Sequence, residues 1–128
     1  MSKICTSIEQ SKKLIALGID VNTADMYYDV NSYGIQSKPE VAVGKVWSKD
    51  IPAWSLSALL ELIPPYLGEF KDGIDFGLSK AMNGKWYSAH YIKFNDDGLA
   101  SFNITVTGDT AIDAAFEMVC WLKENKKL

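Results

Sequence analysis

The sequence predicts an α+β fold built on an antiparallel sheet, and three observations carry that expectation. An amphipathic helical segment opens the chain, two turn signals join three alternating strands in its second half, and a long apolar helical run closes it. Strands grouped together, rather than alternating with helices, belong to the α+β class. At 128 residues the chain fits one domain, 1–128, and it contains no internal repeat, low-complexity tract or linker.

The first helix is marked by "TSIEQSKKLIALG". Thr6 followed by Glu9 has the capping-box spacing. Ile4, Ile8, Leu14 and Ile15 fall on one side and Glu9, Lys12 and Lys13 on the other, and Gly18 suits the left-handed stop. "GIDVNTADMYYDV" follows, with Asp20, Asp25 and Asp29 close together. Counted as a calcium loop from Asp20, it puts Ala24 fifth, Asp25 sixth and Asn31 twelfth, where a ligand, a glycine and a glutamate are needed. The segment therefore reads as a turn. Asn22 and Thr23 suit capping of a single helical turn, and Met26, Tyr27 and Tyr28 supply bulk for packing or for starting a strand.

Val41, Val43, Val46 and Trp47 predict extended structure around 41–47, and "VWSKDIPAWS" reads as a loop. Leu56, Leu59, Leu60 and Ile63 have helical spacing, and Pro64–Pro65 ends that helix. Strands are then expected at "IDFGLS", "KWYSAHYIKF" and "SFNITVT", joined by Asn83–Gly84 and by "NDDG" into a meander. The last helix begins around Asp109–Thr110 and runs through "AIDAAFEMVCWLKEN". Only Asp113, Glu117 and Glu124 form a polar stripe, so it requires cover on more than one side. A sheet of about four or five strands with the N-terminal, central and long C-terminal helices packed on it is the expected architecture.

A net charge of −3 offers no basic field for nucleic acid or an anionic membrane. No stretch has signal-peptide character or the length of a membrane span, which predicts a cytoplasmic protein. Cys5 and Cys120 lack metal-ligand spacing and read as small buried hydrophobes. His90 is the only histidine and sits mid-strand beside Trp86, Ser88, Ile92 and Phe94, the setting of a hydrogen-bonded structural residue. There is no nucleophile elbow and no phosphate-cradling loop, and Asp109 suits a helix cap. No catalytic, cofactor-binding or metal-ligating residue is identified.

Two interaction candidates stand out. The strand face with Lys85, Tyr87, Ala89, Tyr91 and Lys93 is expected to lie beside Asp75, Gly77, Ser79, Asn103, Thr105 and Thr107. Rings there would stack on a base or a sugar, although such faces commonly carry tyrosine and threonine for cross-strand pairing. Trp47 and Trp54, in the central loop with Ile51 and Pro52, are of the residue type enriched at interface hot spots, and equally of the type that wedges a loop onto a helix.

Three blocks, "CTSIEQSKKLIALGIDVNTADMYY", "IPAWSLSALLELIP" and "DTAIDAAFEMVCWLKENKKL", span most of the chain. They resemble a group of small uncharacterised proteins of gut Bacteroides-type genomes, prophages and mobile elements. The group has no assigned activity, so the resemblance carries over no site residues. It implies a phage-related, cytoplasmic accessory protein. The function expected from the residues is a non-enzymatic protein-interaction module that self-associates or binds a protein partner. The alternative is a small-molecule or single-stranded nucleic-acid binder using Tyr87 and Tyr91, with no membrane role and with nucleic acid disfavoured by the acidic total.

Overall fold

In the computed structural model, which describes residues 3–42, 49–67, 74–94 and 97–128, the first helix starts one residue later than its capping signal suggests. Helix α1 (Ile8–Ala16) is capped by Ser7, whose hydroxyl accepts from Gln10 N at 3.1 Å while Gln10 Oε1 accepts from Ser7 N at 2.9 Å. The box is thus Ser7 with Gln10, not Thr6 with Glu9. Thr6 is fully buried, and its hydroxyl pairs with Ser11 Oγ at 2.8 Å and accepts from Trp54 N at 3.0 Å. Gly18 stops the helix as expected, at φ +90°, with Ile19 N bonding back to Leu14 O.

The chain forms two compact units, Met1–Leu62 and Ile63–Leu128. In the first, a single 3-10 turn (Val21–Thr23) leads into β1 (Met26–Tyr28), which is followed by a small hairpin of β2 (Val30–Asn31) and β3 (Gly34–Ile35). Strands β4 (Glu40–Val41) and β5 (Ile51–Ala53) flank β1 in an antiparallel sheet of order β4-β1-β5. Cys5, Met26, Tyr28 and Ala53 form its core, with Ile8 of α1 and Ile51 packed against them. Helix α2 (Leu56–Leu62) closes the unit, with Leu59 fully buried. Part of the expected central loop is therefore strand β5. Pro52 is tolerated there because β5 is an edge strand, where a missing amide donor breaks no ladder. Of the strand expected at 41–47, Val41 lies in β4; residues 43–48, Trp47 among them, lie outside the described residues.

The second unit contains the expected meander, extended by one further strand. Its order is β6 (Tyr66–Leu67), β7 (Ile74–Lys80), β8 (Tyr87–Phe94) and β9 (Ala100–Gly108), all antiparallel. Helix α3 (Ala111–Glu124) is capped by Thr110, whose hydroxyl accepts from Asp113 N at 3.0 Å, and it packs against β7, β8 and β9. The chain is thus α+β with antiparallel sheets and packed helices. Among the described residues, no helix is long and apolar enough to cross a membrane.

Candidate functional site

Residues 18–30 have their polar groups engaged locally and with the segment around Trp54. Asp20 caps the 3-10 turn, accepting from Asn22 N at 2.9 Å. Thr23 Oγ1 donates to Asp20 O at 2.5 Å and accepts from the Trp54 indole Nε1 at 2.9 Å. Asp25 receives Ser55 N at 2.9 Å on one oxygen and the Ser55 hydroxyl on the other, and Ser55 Oγ accepts from Ala58 N in the first turn of α2. "NTADMYY" and "IPAWSL" are therefore the two halves of one internal latch. Trp54 is fully buried within it, the internal-packing alternative rather than the interaction candidate. An indole with its N–H already bonded to Thr23 suits a core position.

Beside this latch lies an open groove of about 600 Å³ lined by apolar Ile4 and Pro39. Cys5 and Tyr28 form part of its wall, and Lys3 and Lys38 stand along it. The Tyr28 phenol donates to Thr6 O at 2.8 Å, so the Cys5 thiol, 3.6 Å away, is the donor to the phenol oxygen. Burial pushes both groups above their ordinary pKa ranges, the phenol strongly. The groove wall stays neutral, and Cys5 is held as a thiol rather than as a nucleophilic thiolate.

In the second unit the expected faces of β8 are exchanged. Tyr91 and Ala89 are fully buried; Tyr91 tilts against Phe76, with ring centroids 5.5 Å apart, and its hydroxyl donates to Pro64 O at 2.6 Å. Tyr91 is therefore a core residue and is not available to stack on a ligand. Tyr87, on the same face nearer the hairpin end, is half-buried, with Lys80 Nζ 5.9 Å from its ring centre.

The polar neighbours Gly77 and Thr105 lie opposite His90, and Ser79 and Thr107 lie opposite Ser88. The register decides this. Residues paired across an antiparallel ladder share a face, and Phe76 pairs with Tyr91 while Gly77 pairs with His90. The turn contained the signal: counting outward from Asn83–Gly84 brings Lys80 opposite Tyr87 and Phe76 opposite Tyr91.

The outer face of the sheet is consequently a field of small polar groups around one imidazole. Ser79 and Ser88 hydroxyls lie 3.0 Å apart, and Thr105 Oγ1 donates to Asn103 Oδ1 at 2.6 Å. His90 is partly exposed and lies over Gly77, where a β-carbon would run into its ring. Among the described residues no side-chain hydrogen bond orients it toward a carboxylate or hydroxyl. Among them, too, no group of three or more His, Cys, Asp or Glu side chains is placed to hold a metal ion.

The expected reason for self-association also changes. Ala114, Ala115, Met118, Val119 and Leu122 of α3 are fully buried within the one chain and are not presented to a partner. Exposed large apolar side chains are spread over Ile4, Tyr33, Val41 and Leu99 among others, and two of them, Met82 and Trp86, share the tip of the β7–β8 hairpin. Met82 is fully exposed and Trp86 is 42% exposed, with Lys80 and Lys85 exposed around them. The tip is held in one shape. Gly84 N bonds Ala81 O and Ala81 N bonds Trp86 O, each at 2.8 Å; Lys85 N bonds Asn83 Oδ1 at 2.9 Å, and Gly84 adopts φ +72°. In the sequence Asn83–Gly84 marks the turn, and Met82 and Trp86 beside it are the apolar residues that the turn presents.

Comparison with protein-family models, curated proteins and solved structures gave no match.

Proposed function

We propose that the protein is a non-enzymatic interaction module of the cytoplasm that docks a partner protein with the tip of its β7–β8 hairpin. The observation supporting this is the exposure of Met82 and Trp86 together on a hydrogen-bonded turn. Large apolar side chains on a preorganised loop lose little conformational entropy on binding, and tryptophan is a frequent hot-spot residue. Lys80 and Lys85 beside them favour a partner whose apolar cleft has an acidic rim. The test is capture from host lysate by the intact chain and by a Met82→Ala/Trp86→Ala variant. A protein held by the first and lost by the second, with the melting temperature within about 2 °C, is the expected result. Equal capture by both, or no specific protein, would overturn the reading.

The groove beside Cys5 and Tyr28 favours a second reading, a small ligand with an apolar body and an anionic group. Its volume of about 600 Å³ is in the range of ligand pockets, and Lys3 and Lys38 flank an apolar wall. Titration with the anionic dye anilinonaphthalene sulfonate tests it. Saturable binding weakened by Lys38→Glu supports this site, and binding unchanged by the substitution places the dye elsewhere.

A further inference from the structure

Among the described residues, most sheet edges are blunted. Strand β6 (Tyr66–Leu67), at one edge of the four-stranded sheet, follows Pro64–Pro65. In the other unit β4, β2 and β3 are two residues each, and β5 carries Pro52. These are the usual devices by which a sheet avoids pairing with another chain. Strand β9 has none of them along most of its length. It runs nine residues from Ala100 to Gly108 as "ASFNITVTG", without proline and without a charged residue. Among the described residues only β8 pairs with it, and no other backbone hydrogen bond reaches it. Asn103, Thr105 and Thr107 are exposed.

We infer that β9 is a homodimerisation edge, pairing antiparallel with β9 of a second copy about a two-fold axis at Thr105. The register follows from the strand itself. Lys93 pairs with Phe102 but Phe94 pairs with Ala100, so a bulge at Ser101 ends the regular part of β9. The remaining stretch, 102–108, is centred on Thr105. A two-fold there places Thr105 opposite Thr105, Ile104 opposite Val106 and Asn103 opposite Thr107. Every pair matches in face, apolar with apolar and polar with polar, as an antiparallel ladder requires. Threonine pairs across strands are favourable, and the absence of charge means that self-pairing meets no like-charge repulsion. A strand ending in lysines or glutamates would repel its own copy. The product is a sheet continuous through both chains, with both α3 helices on one face. This surface is separate from the hairpin tip, so its failure leaves the proposed partner docking untouched.

Three measurements on the full chain test this. Light scattering over a concentration series should give a mass twice 14.2 kDa at high concentration. Thr105→Lys, which sets two ammonium groups opposite each other, should give the monomer mass with an unchanged circular dichroism spectrum. Thr105→Cys should form an inter-chain disulfide on mild oxidation at least tenfold faster than Asn103→Cys. Directly opposed Cα atoms lie about 4.5–5.5 Å apart, within disulfide reach, whereas two copies of residue 103 are separated along the strands. The native thiols Cys5 and Cys120 are buried and do not compete. A wild-type monomer throughout, a dimer that survives Thr105→Lys, or cross-linking as fast at 103 as at 105 would each overturn the inference.

Discussion

The Tyr91 hydroxyl donates a 2.6 Å hydrogen bond to the carbonyl of Pro64, and its ring is fully buried beneath the sheet. That bond ties the centre of β8 to the proline pair that ends α2's segment and precedes β6. Tyr91→Phe keeps the ring against Phe76 and removes only the donor. It should lower stability by about 1–2 kcal/mol in urea denaturation, because the Pro64 carbonyl loses its partner. Tyr91→Ala should cost about 3–5 kcal/mol through the cavity it leaves. An exposed ligand-stacking tyrosine would show neither loss.

The same burial makes stability sensitive to alkali. The Tyr91 phenol is pushed up to about 12 from an unfolded value of 10, and Tyr28 is raised as well. Below pH 10 both states hold these protons and the stabilisation is complete. Between pH 10 and 12 the unfolded chain releases protons that the folded chain retains, so stability falls as pH rises. Urea midpoints measured from pH 8 to 12 should decline in that window, and Tyr91→Phe should flatten the decline.

The latch between the two early segments predicts a third effect. Asp25 accepts both the backbone N–H and the hydroxyl of Ser55 at the start of α2. Asp25→Ala should destabilise by about 1–3 kcal/mol in the same assay. Asp25→Asn should recover part of that, since its amide oxygen still accepts one bond.

Gly108 joins β9 to α3 with no room to spare. A β-carbon there would stand 2.5 Å from Ala114 N and 2.6 Å from Asp113 Cβ, so the helix start would have to move. Gly108→Ala should cost about 1–3 kcal/mol as an overpacking change. Its thermal melt should shift down accordingly, without loss of helix content at 20 °C.

Much of the fold was legible because its signals are local. Gly18 as a left-handed stop, the Pro64–Pro65 break, the meander with its turns, and the last helix all follow from spacing within a dozen residues. The candidate surfaces were less legible. Trp54 and Tyr91 looked equally suited to surface and core, because an aromatic ring with a polar atom serves either place. The strand Tyr-Ser-Ala-His-Tyr-Ile alternates between two faces of similar hydropathy, so its own pattern names no inside. Its partners choose, through the register at Phe76–Tyr91 and Tyr91–Ile104.

By itself, then, the sequence determined the α+β class, the order and type of the long elements, and the single helical turn at residues 21–23 that leads into a strand. Periodicity, caps and turn residues act over a few ångströms of neighbouring chain, so they can be read in a single pass. The tertiary structure decided that Thr6 is a buried hub rather than a cap. It decided that Thr23 and Asp25 receive Trp54 and Ser55, that Tyr91 faces inward, and that β9 is the one long unblunted edge among the described strands. Thr6 and Trp54, Thr23 and Trp54, and Asp25 and Ser55 stand 48, 31 and 30 positions apart, and such pairing is chosen by the energy of the whole packing rather than by the residues on either side.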